Sequence, residues 1–423
     1  MRGNLWLFLS ALILLISLIL KQVPLFVLSV LLLLSAGASS LWNRFCLHRV
    51  EFSRRLSSSR VFHGEEIIYE TEIVNKKILP LPWLNVEDEL PEDVTLLKGE
   101  AEKAGPRRVV MNVTSPVGIY HKIRRRYPMR CMQRGVFTFG PTILRSGDLF
   151  GLLQRETRYQ ECEHLTVYPR LVPLEKLGVS SKQLFGEMRV RNHLFRDPVL
   201  TAGVRDYQPG DSIKRIHWKN SARFGKLQTK VYEPTTTIDL SIFLDVRTVK
   251  EPLWGVQTQL QELGIIAAAS ISRHALESGF RVGLYVNQAQ FTSEAPIRVP
   301  HSRHEDQLVH ILEALAQVQH SETLPMSKFI RHEAPALPWG TTLLVIAAQP
   351  TDKLVANLLD LKRPGRSTAL IKLGGEPLDE PSGKLPVYHI SDNAAWEVIE
   401  SIGISDNPAQ PPDRKRDKPR GKV

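Results

Sequence analysis

The sequence predicts a two-helix transmembrane hairpin, then a β-sandwich-like domain, then an α/β domain with a doubly wound parallel sheet. Three observations predict this order. Residues 1–43 are almost wholly apolar, residues 44–170 hold short runs of β-forming residues, and residues 236–405 alternate strand patterns with helix patterns. A connecting region with a basic signature, 171–235, lies between the two predicted domains, and a basic tail, 406–423, is expected to be disordered.

The apolar segment Asn4–Trp42 is too long for a single membrane span. One helix of this length would measure about 58 Å, nearly twice the hydrocarbon core of a bilayer, and Lys21 at its centre would cost about 3 kcal/mol. Two spans joined at Lys21–Pro24 avoid both problems. Basic residues at Arg2 and in 44–60 predict a multi-pass protein of the cell (inner) membrane with both termini in the cytoplasm. A cleaved signal peptide is the alternative, which the length of the apolar stretch disfavours.

Residues 44–170 are predicted to form a β-sandwich-like domain because short alternating runs are separated by turn residues such as Asn75–Lys77 and Gly140–Pro141. Trp83 is expected to pack in the core or between domains. The predicted strands are Glu66–Val74, Arg108–Val113, Ile119–Tyr127, Gly135–Phe139 and Leu165–Tyr168.

Residues 236–405 alternate apolar strand patterns with amphipathic helix patterns, which predicts a parallel sheet covered on both faces. Helical spacing is present in 256–271, 308–318 and 352–361, and a last helix is expected to end near Gly403. The predicted strands are Ile238–Val246, Arg281–Val286, Thr341–Ala348, Ala369–Leu373 and Val387–Ile390.

A basic signature occupies Arg205–Arg223. Pro209–Gly210 predicts a turn, and Asp211 is expected to cap a helix that ends at Gly225. No catalytic residue is assigned. The residues predicted to bind a partner or an anion are Arg205, Tyr207, Gly210, Asp211, Arg215, Trp218, Lys219, Ser221 and Arg223.

Two interpretations of this signature stay open. In the favoured one, Arg205 and Arg223 form internal salt bridges, with Asp206 among the partners, and Trp218 wedges the two domains together. In the other, the arginine forks bind an external carboxylate or phosphate. The accessibility of Arg205, Arg215 and Arg223 distinguishes the two interpretations.

The signature resembles that of the prokaryotic family known as domain of unknown function 58, with His217 standing where the family has an acidic residue. Upstream matches extend the resemblance over most of the chain outside the apolar segment. This resemblance implies an α/β domain similar to a von Willebrand factor A domain. It also implies association with MoxR-type AAA+ ATPases, and often with transglutaminase-like membrane proteins. The upstream matches are Arg134–Gly135, Gly140–Pro141, 148–152 and Val167–Arg170.

A metal site is not expected in the α/β domain. Metal-binding A domains carry Asp-x-Ser-x-Ser, where this chain has Asp245, Arg247 and Val249. Arginine repels a divalent ion and valine offers it no oxygen. Three neighbouring histidines are expected to lie on a solvated helix face instead of binding a metal, namely His301, His304 and His310.

Charge is concentrated in three windows of a chain whose formal net charge is +11. Local excesses of +4, +5 and +4 lie in 44–60, 205–230 and 413–423. One of these windows adjoins the membrane segment and another forms the tail. Their positions favour anionic lipid headgroups as a partner and do not favour nucleic acid. Each basic residue near an anionic membrane surface contributes about 1 kcal/mol of attraction. The three cysteines lack the spacing of a zinc or redox site.

Together these expectations predict a bacterial membrane-anchored adaptor or scaffold, not an enzyme, with no cofactor and no metal. It would recognise protein partners and work with a MoxR-type AAA+ ATPase in the maturation or assembly of envelope proteins. Two alternatives stay open. One is a hydrolase that uses the Asp211 and His217 region as an acid–base pair. The other is a metal-dependent adhesion module.

Overall fold

The structure is a computed structural model. It describes residues 2–148, 153–182, 184–186, 196–209, 211–234, 238–249, 257–290, 293–319, 324–338, 340–362, 366–378 and 385–391. The helix expected to end near Gly403, the tail 406–423 and the predicted site residue Gly210 lie outside these described residues.

Two apolar helices begin the chain, α1 (Arg2–Leu20) and α2 (Val23–Phe45), and they pack against each other. The chain turns between them at Lys21, whose φ is 47°. Pro24 lies in the first turn of α2, where the missing N–H costs no intrahelical hydrogen bond. Among the described residues, α2 is the one helix that is long and apolar enough to cross a membrane, with a mean hydropathy of 2.0.

Twelve strands follow among the described residues, and we call residues 50–168 the β-region. Their bounds are β1 (Val50–Leu56), β2 (Arg60–Phe62), β3 (Glu66–Asn75), β4 (Leu81–Pro91), β5 (Val94–Leu96), β6 (Ala101–Gly105), β7 (Arg108–Val117), β8 (Lys122–Cys131), β9 (Gly135–Phe139), β10 (Thr142–Gly147), β11 (Gln154–Tyr159) and β12 (Glu163–Tyr168). They form three sheets with the orders β1-β3-β8-β5, β11-β10-β4-β7-β6 and β2-β12-β9.

The first two sheets share one apolar core. Alternate residues of β3 are buried, as the two-residue period of a strand requires. Ile67 and Met129 come from the first sheet, and Leu90 and Met111 come from the second, yet all four belong to a single buried cluster. The strands therefore bury their apolar faces against one another.

A buried polar cluster also joins these two sheets. Arg54 donates a hydrogen bond to Thr142 Oγ1 (2.6 Å), and that hydroxyl donates to Asp88 Oδ1 (2.5 Å). Arg54 Nη1 lies 3.3 Å from the same Asp88 oxygen, and Tyr69 donates to the other one. Burial raises the pKa of Asp88, and the Arg54 guanidinium partly offsets this shift. Because the charges of Arg54 and Asp88 are both buried, loss of either side chain would leave the other charge without a partner.

The connecting region contains a 3-10 helix at Leu174–Leu177 and an antiparallel hairpin of β13 (Arg196–Asp206) and β14 (Gln228–Pro234). Between the two strands of the hairpin lie a 3-10 turn at Ile213–Arg215 and the short helix α3 (Trp218–Phe224).

We call residues 239–390 the α/β region. Its strands are β15 (Asp239–Leu244), β16 (Arg281–Gln290), β17 (Ser293–Ser302), β18 (Thr342–Ala347), β19 (Thr368–Leu373) and β20 (Val387–Ile390). They form one sheet with the order β17-β16-β15-β18-β19-β20. Its helices are α4 (Thr258–Glu277), α5 (Gln307–Ala316), α6 (Met326–Glu333) and α7 (Asp352–Lys362).

The sheet is parallel except at one edge, where β17 pairs antiparallel with β16. The prediction of a purely parallel sheet is therefore wrong at this edge. Only two residues separate β16 from β17 in the sequence, whereas a parallel pairing needs a crossover of about a dozen residues or more.

Helices cover both faces of this sheet. Leu344 and Ile346 of β18 join a buried cluster that contains residues of α4 and α5. Leu343 and Val345 point to the opposite face and join a second cluster with residues of α6 and α7. A strand buried on both faces accounts for the continuous apolar run in the sequence.

Candidate functional site

Asp211 closes a turn in the signature. Its Oδ1 accepts a hydrogen bond from Arg205 (2.6 Å), and its Oδ2 accepts one from the backbone N–H of Gln208 (3.0 Å) and one from Thr229 Oγ1 (3.4 Å). These donors, first the Gln208 amide and then Arg205, lower the pKa of the Asp211 carboxyl. Asp211 therefore ties the start of the signature to the base of the hairpin.

The predicted helix capped by Asp211 is wrong. The chain makes a separate 3-10 turn at Ile213–Arg215 and becomes extended again at Ile216 before α3 begins. His217 caps α3, because its Nδ1 accepts a hydrogen bond from the backbone N–H of Asn220 (3.1 Å). The predicted end of the helix is correct, since Gly225 adopts a left-handed φ of 67°.

Ser221 attaches α3 to the hairpin. It is buried, its hydroxyl donates to the carbonyl of His217 (3.1 Å), and it accepts a hydrogen bond from the backbone N–H of Gln228 (2.9 Å). Tyr207 is half-buried, and its backbone N–H donates to the carbonyl of Leu227 (2.9 Å). These contacts hold α3 against the hairpin and leave its other side open to solvent.

The open side of the signature is both basic and apolar. Trp218 is 65% exposed, and two other large apolar residues, Ile213 and Phe224, are similarly exposed. Sequence reasoning missed the exposure of Ile213 and Phe224. We call the following exposed residues the signature surface: Ile213, Lys214, Arg215, Trp218, Lys219, Arg223 and Phe224.

The internal-clamp interpretation is wrong in three particulars. Trp218 faces solvent and does not lie between domains. Arg205 does form an internal salt bridge, but its partner is Asp211; Asp206 offers Arg205 only its backbone carbonyl (3.1 Å), and its carboxylate accepts from Gln228. Arg223, like the other basic residues of the signature surface, forms no ion pair with any residue that the structure describes. These side chains are exposed to solvent.

Asp211 and His217 do not meet as an acid–base pair. Asp211 is engaged by Arg205 and by the Gln208 amide, and the Nδ1 of His217 is engaged by the Asn220 amide. No hydrogen bond joins the two side chains. Their geometry is that of a turn and a helix cap.

Asp245 lies at the point where ligands usually bind in open α/β sheets. The strand order reverses between β15 and β18, and Asp245 follows the carboxyl end of β15. Its buried Oδ1 accepts hydrogen bonds from Asn287 Nδ2 (2.7 Å) and from the backbone N–H of Arg247 (3.1 Å). Asn287 was missed by sequence reasoning, although it stands near the end of the adjacent strand.

A side chain of the protein, Arg247, supplies the positive charge beside Asp245. The Arg247 guanidinium lies 3.8 Å from Asp245 Oδ2. Burial raises the pKa of the Asp245 carboxyl, and Arg247 opposes the shift. Across the described ranges there is no group of three or more His, Cys, Asp or Glu residues that could hold a metal ion. Val249 offers no oxygen ligand, so these residues do not fit the metal site of an A domain.

The expected solvated face of three histidines is wrong for His301. This residue lies in β17, because the strand continues to Ser302 and α5 begins only at Gln307. His301 Nε2 shares a 2.8 Å hydrogen bond with Ser241 Oγ. Burial, assisted by the nearby Arg281, lowers the pKa of His301 to about 4. The other two histidines, His304 and His310, are exposed as expected.

Residues 203–340 match the model of a family described as "Protein of unknown function DUF58". The family resemblance predicted from the signature is therefore confirmed for this part of the chain. The chain is similar to "Uncharacterized protein YeaD" of Bacillus subtilis (strain 168), with 25% identity over 340 residues that cover 78% of this chain and 77% of the relative.

Likenesses to solved structures are weak. The von Willebrand factor A (VWA) domain of SpRpn10 has a TM-score of 0.26 and 12% identity, and the match covers 37% of this chain and 89% of that domain. The CARDB domain of the PF1109 protein from Pyrococcus furiosus has a TM-score of 0.20 and 11% identity, with 28% of this chain and 90% of that one covered. A non-cellulosomal cohesin from Archaeoglobus fulgidus has a TM-score of 0.20 and 10% identity, with 32% and 97% covered.

Proposed function

We propose that this chain is a membrane-anchored adaptor that binds a protein partner through the signature surface and catalyses no reaction of its own. The observation that carries the proposal is the exposure of Trp218 beside exposed basic side chains that form no ion pair with the described part of the chain. Tryptophan and arginine dominate binding energy in protein interfaces. Exposed apolar residues concentrated in one place are a further mark of an interaction site.

The anchor in this proposal consists of α1 and α2, both crossing the inner membrane, with the two termini in the cytoplasm. The length and composition of α2 support one span. The packing of α1 on α2, with the turn at Lys21, supports a second span. The basic residues at Arg2 and in 44–60 flank the pair on one side, which is the arrangement of cytoplasmic loops.

The partner in this proposal is a MoxR-type AAA+ ATPase, and the shared work is the maturation or assembly of envelope proteins. A transglutaminase-like membrane protein is a further candidate in the same assembly. Both come from the family resemblance. The chemistry of the signature surface specifies the partner's face: acidic side chains for Arg215, Lys219 and Arg223, and an apolar recess for Trp218.

A pull-down with the full chain in detergent tests this proposal. We expect the wild-type chain to retrieve an AAA+ ATPase, and the triple variant Arg215→Glu, Lys219→Glu, Arg223→Glu to bind it at least about tenfold more weakly, since like charges oppose docking. The matched control reverses three exposed basic residues elsewhere, Lys98, Lys103 and Arg273, and is expected to bind normally. Retrieval of no AAA+ ATPase, with or without ATP, would refute the proposal.

The double variant Asp211→Ala, His217→Ala separates the adaptor from the hydrolase alternative. A hydrolase that uses these residues would lose turnover and keep its partner. The adaptor has no turnover to lose, and loosening the turn and the cap is expected to weaken partner binding instead, because both contacts shape the signature surface.

A further inference from the structure

One end of the β-region faces the end of α2. The strand register shows which loops share this end: Val50, at the start of β1, pairs with Asn75 at the end of β3. Lys122, at the start of β8, pairs with Val74, and β4 begins where β7 ends. The loops 76–80 and 118–121 therefore lie together, beside the segment 46–49 that leaves α2.

Direct contacts fix this end of the β-region against α2. Ser39, within α2, donates a hydrogen bond to the buried carboxylate of Asp148. Arg155 donates to the carbonyl of Arg44 (2.8 Å). Lys77 donates to the carbonyl of Cys46 (2.6 Å), and burial there lowers the pKa of Lys77 to about 8. The two loops are thus held beside the point where the chain leaves the helix.

Large apolar side chains project from these loops. Ile78 is 69% exposed, Ile119 is 53% exposed and Tyr120 is 66% exposed. Tyr120 also has a φ of 49°, a conformation that is uncommon for a bulky residue. The Tyr120 backbone N–H donates to the carbonyl of Lys77 (3.3 Å), whereas most of its ring is open to solvent. We call Ile78, Ile119 and Tyr120 the apolar tip.

The apolar tip lies close to the depth at which a membrane span through α2 would end. A span that starts at Val23 needs about 20 residues to cross the hydrocarbon core, which places its end near Trp42. The β-region already contacts α2 at Ser39, before that limit. A bilayer around α2 therefore meets this end of the β-region where the hydrocarbon core borders the headgroups.

We propose that the apolar tip inserts into the interface of an anionic bilayer. Aromatic and aliphatic side chains favour this depth. The exposed Arg49 stands beside the tip to attract lipid phosphate, together with Lys76, which is exposed and forms a surface ion pair with Glu51 (2.6 Å). The inference rests on the proposed membrane anchor and adds a second contact with the same bilayer. Two contacts restrict the tilt of the β-region and fix the height of the domains attached to it.

Spin labels on the full chain in nanodiscs test this proposal. The background variant is Cys162→Ser, because Cys162 is exposed whereas Cys46 and Cys131 are buried. A nitroxide is attached in separate variants at Ile78→Cys and Tyr120→Cys. The control, Leu97→Cys, is also exposed but lies at the level of Pro128, about 20 Å along β8 from Lys122. Collision rates with oxygen and with a water-soluble nickel complex report the depth of each label.

In phosphatidylglycerol-containing discs we expect oxygen to dominate at both tip labels and the nickel complex to dominate at Leu97→Cys. In purely zwitterionic discs we expect both tip labels to lie less deep in the bilayer than in the phosphatidylglycerol-containing discs. If the chain is embedded in the discs but the tip labels face water, the proposed insertion of the apolar tip is wrong and the proposed anchor stands. Tip labels shielded from both reagents would indicate a protein contact and would also contradict insertion of the apolar tip. A chain that does not enter the discs would contradict both the anchor and the insertion. Equal label depth in both kinds of disc would contradict the role proposed for the basic residues.

Discussion

Arg134 of the β-region forms a bidentate ion pair with Glu262 of α4, with Nη2 2.7 Å from Oε1 and Nε 2.9 Å from Oε2. The same guanidinium donates to the carbonyls of Leu315 (3.2 Å) and Val318 (2.7 Å) at the end of α5. Its positive charge therefore meets the negative end of a helix dipole. One largely buried side chain joins the β-region to two helices of the α/β region.

We expect Arg134→Ala to destabilise the chain by about 3 kcal/mol, because it leaves a partly buried carboxylate and several carbonyls without their donor. The midpoint of thermal unfolding in detergent, followed by tryptophan fluorescence, measures this change. Arg60→Ala is the control, since the pair of Arg60 with Glu313 also joins the two regions but its guanidinium is 59% exposed, and such pairs contribute less than about 1 kcal/mol. Equal losses of thermal stability in Arg134→Ala and Arg60→Ala would show that the buried contacts of Arg134 contribute no more than an exposed ion pair.

Gly140 leaves room for the buried Arg54 side chain. A Cβ atom at Gly140 would lie 2.7 Å from Arg54 Cζ, and the φ of 99° is unfavourable for any other residue. We expect Gly140→Ala to cost about 2–5 kcal/mol in the free energy of unfolding, from backbone strain and overpacking together. Gly64→Ala supplies the comparison, because Gly64 has a φ of 85° but no atom within 4 Å of its added Cβ. If both variants lose the same stability, contact with Arg54 contributes nothing.

The pH dependence of stability is expected to reflect His301. Its pKa is about 4 in the folded protein against an ordinary value of 6.5, so the unfolded chain binds more protons between these values. The stability contributed by neutral His301 is present in full above pH 6.5 and is lost as the pH falls toward 4, with a slope of at most about 1.4 kcal/mol per pH unit.

His301→Gln removes the titrating group and retains an amide that can reach Ser241. We expect the variant to show a flatter loss of unfolding free energy than the wild type between pH 6.5 and 4. Denaturant titrations at several pH values measure this difference. His304→Gln, at an exposed position, is expected to leave the wild-type slope unchanged. Parallel curves for wild type and His301→Gln would show that His301 stays solvated.

Magnesium is expected to leave the melting temperature unchanged, because the Arg247 guanidinium already lies beside Asp245. The variant Arg247→Ser, Val249→Ser restores Asp-x-Ser-x-Ser and removes this positive charge. We expect the variant to melt higher in millimolar magnesium, since an ion that binds only the folded state stabilises it. A rise in the wild-type melting temperature would instead favour the metal-dependent adhesion module.

Strands and helices with regular patterns could be located from the sequence. Gly135–Phe139 and Val387–Ile390 form strands with the predicted bounds, and α7 differs from its prediction by one residue. The edge strand β17 was missed because Pro296 and Pro300 interrupt its pattern, and prolines are tolerated at the edge of a sheet. The helix α6 was missed because eight residues are too few for a clear helical period.

The identity of the signature residues could also be read from the sequence, but their orientation could not. Asp211 and His217 are both residues that can accept hydrogen bonds from backbone amides. Which of them caps α3 depends on the separate turn at Ile213–Arg215, which places Asp211 beside Arg205. The same turn leaves Trp218 on the solvent side, where residue type alone suggested burial.

By itself the sequence determined where the apolar helices, the β-rich stretch, the α/β alternation and the basic signature lie, because those depend on residue type and spacing along the chain. Only the tertiary structure decided the contacts between elements. Arg134 meets Glu262 across 128 residues of sequence, and Ser39 meets Asp148 across 109. Such pairs depend on how sheets and helices pack against each other, and a local sequence pattern does not determine that packing.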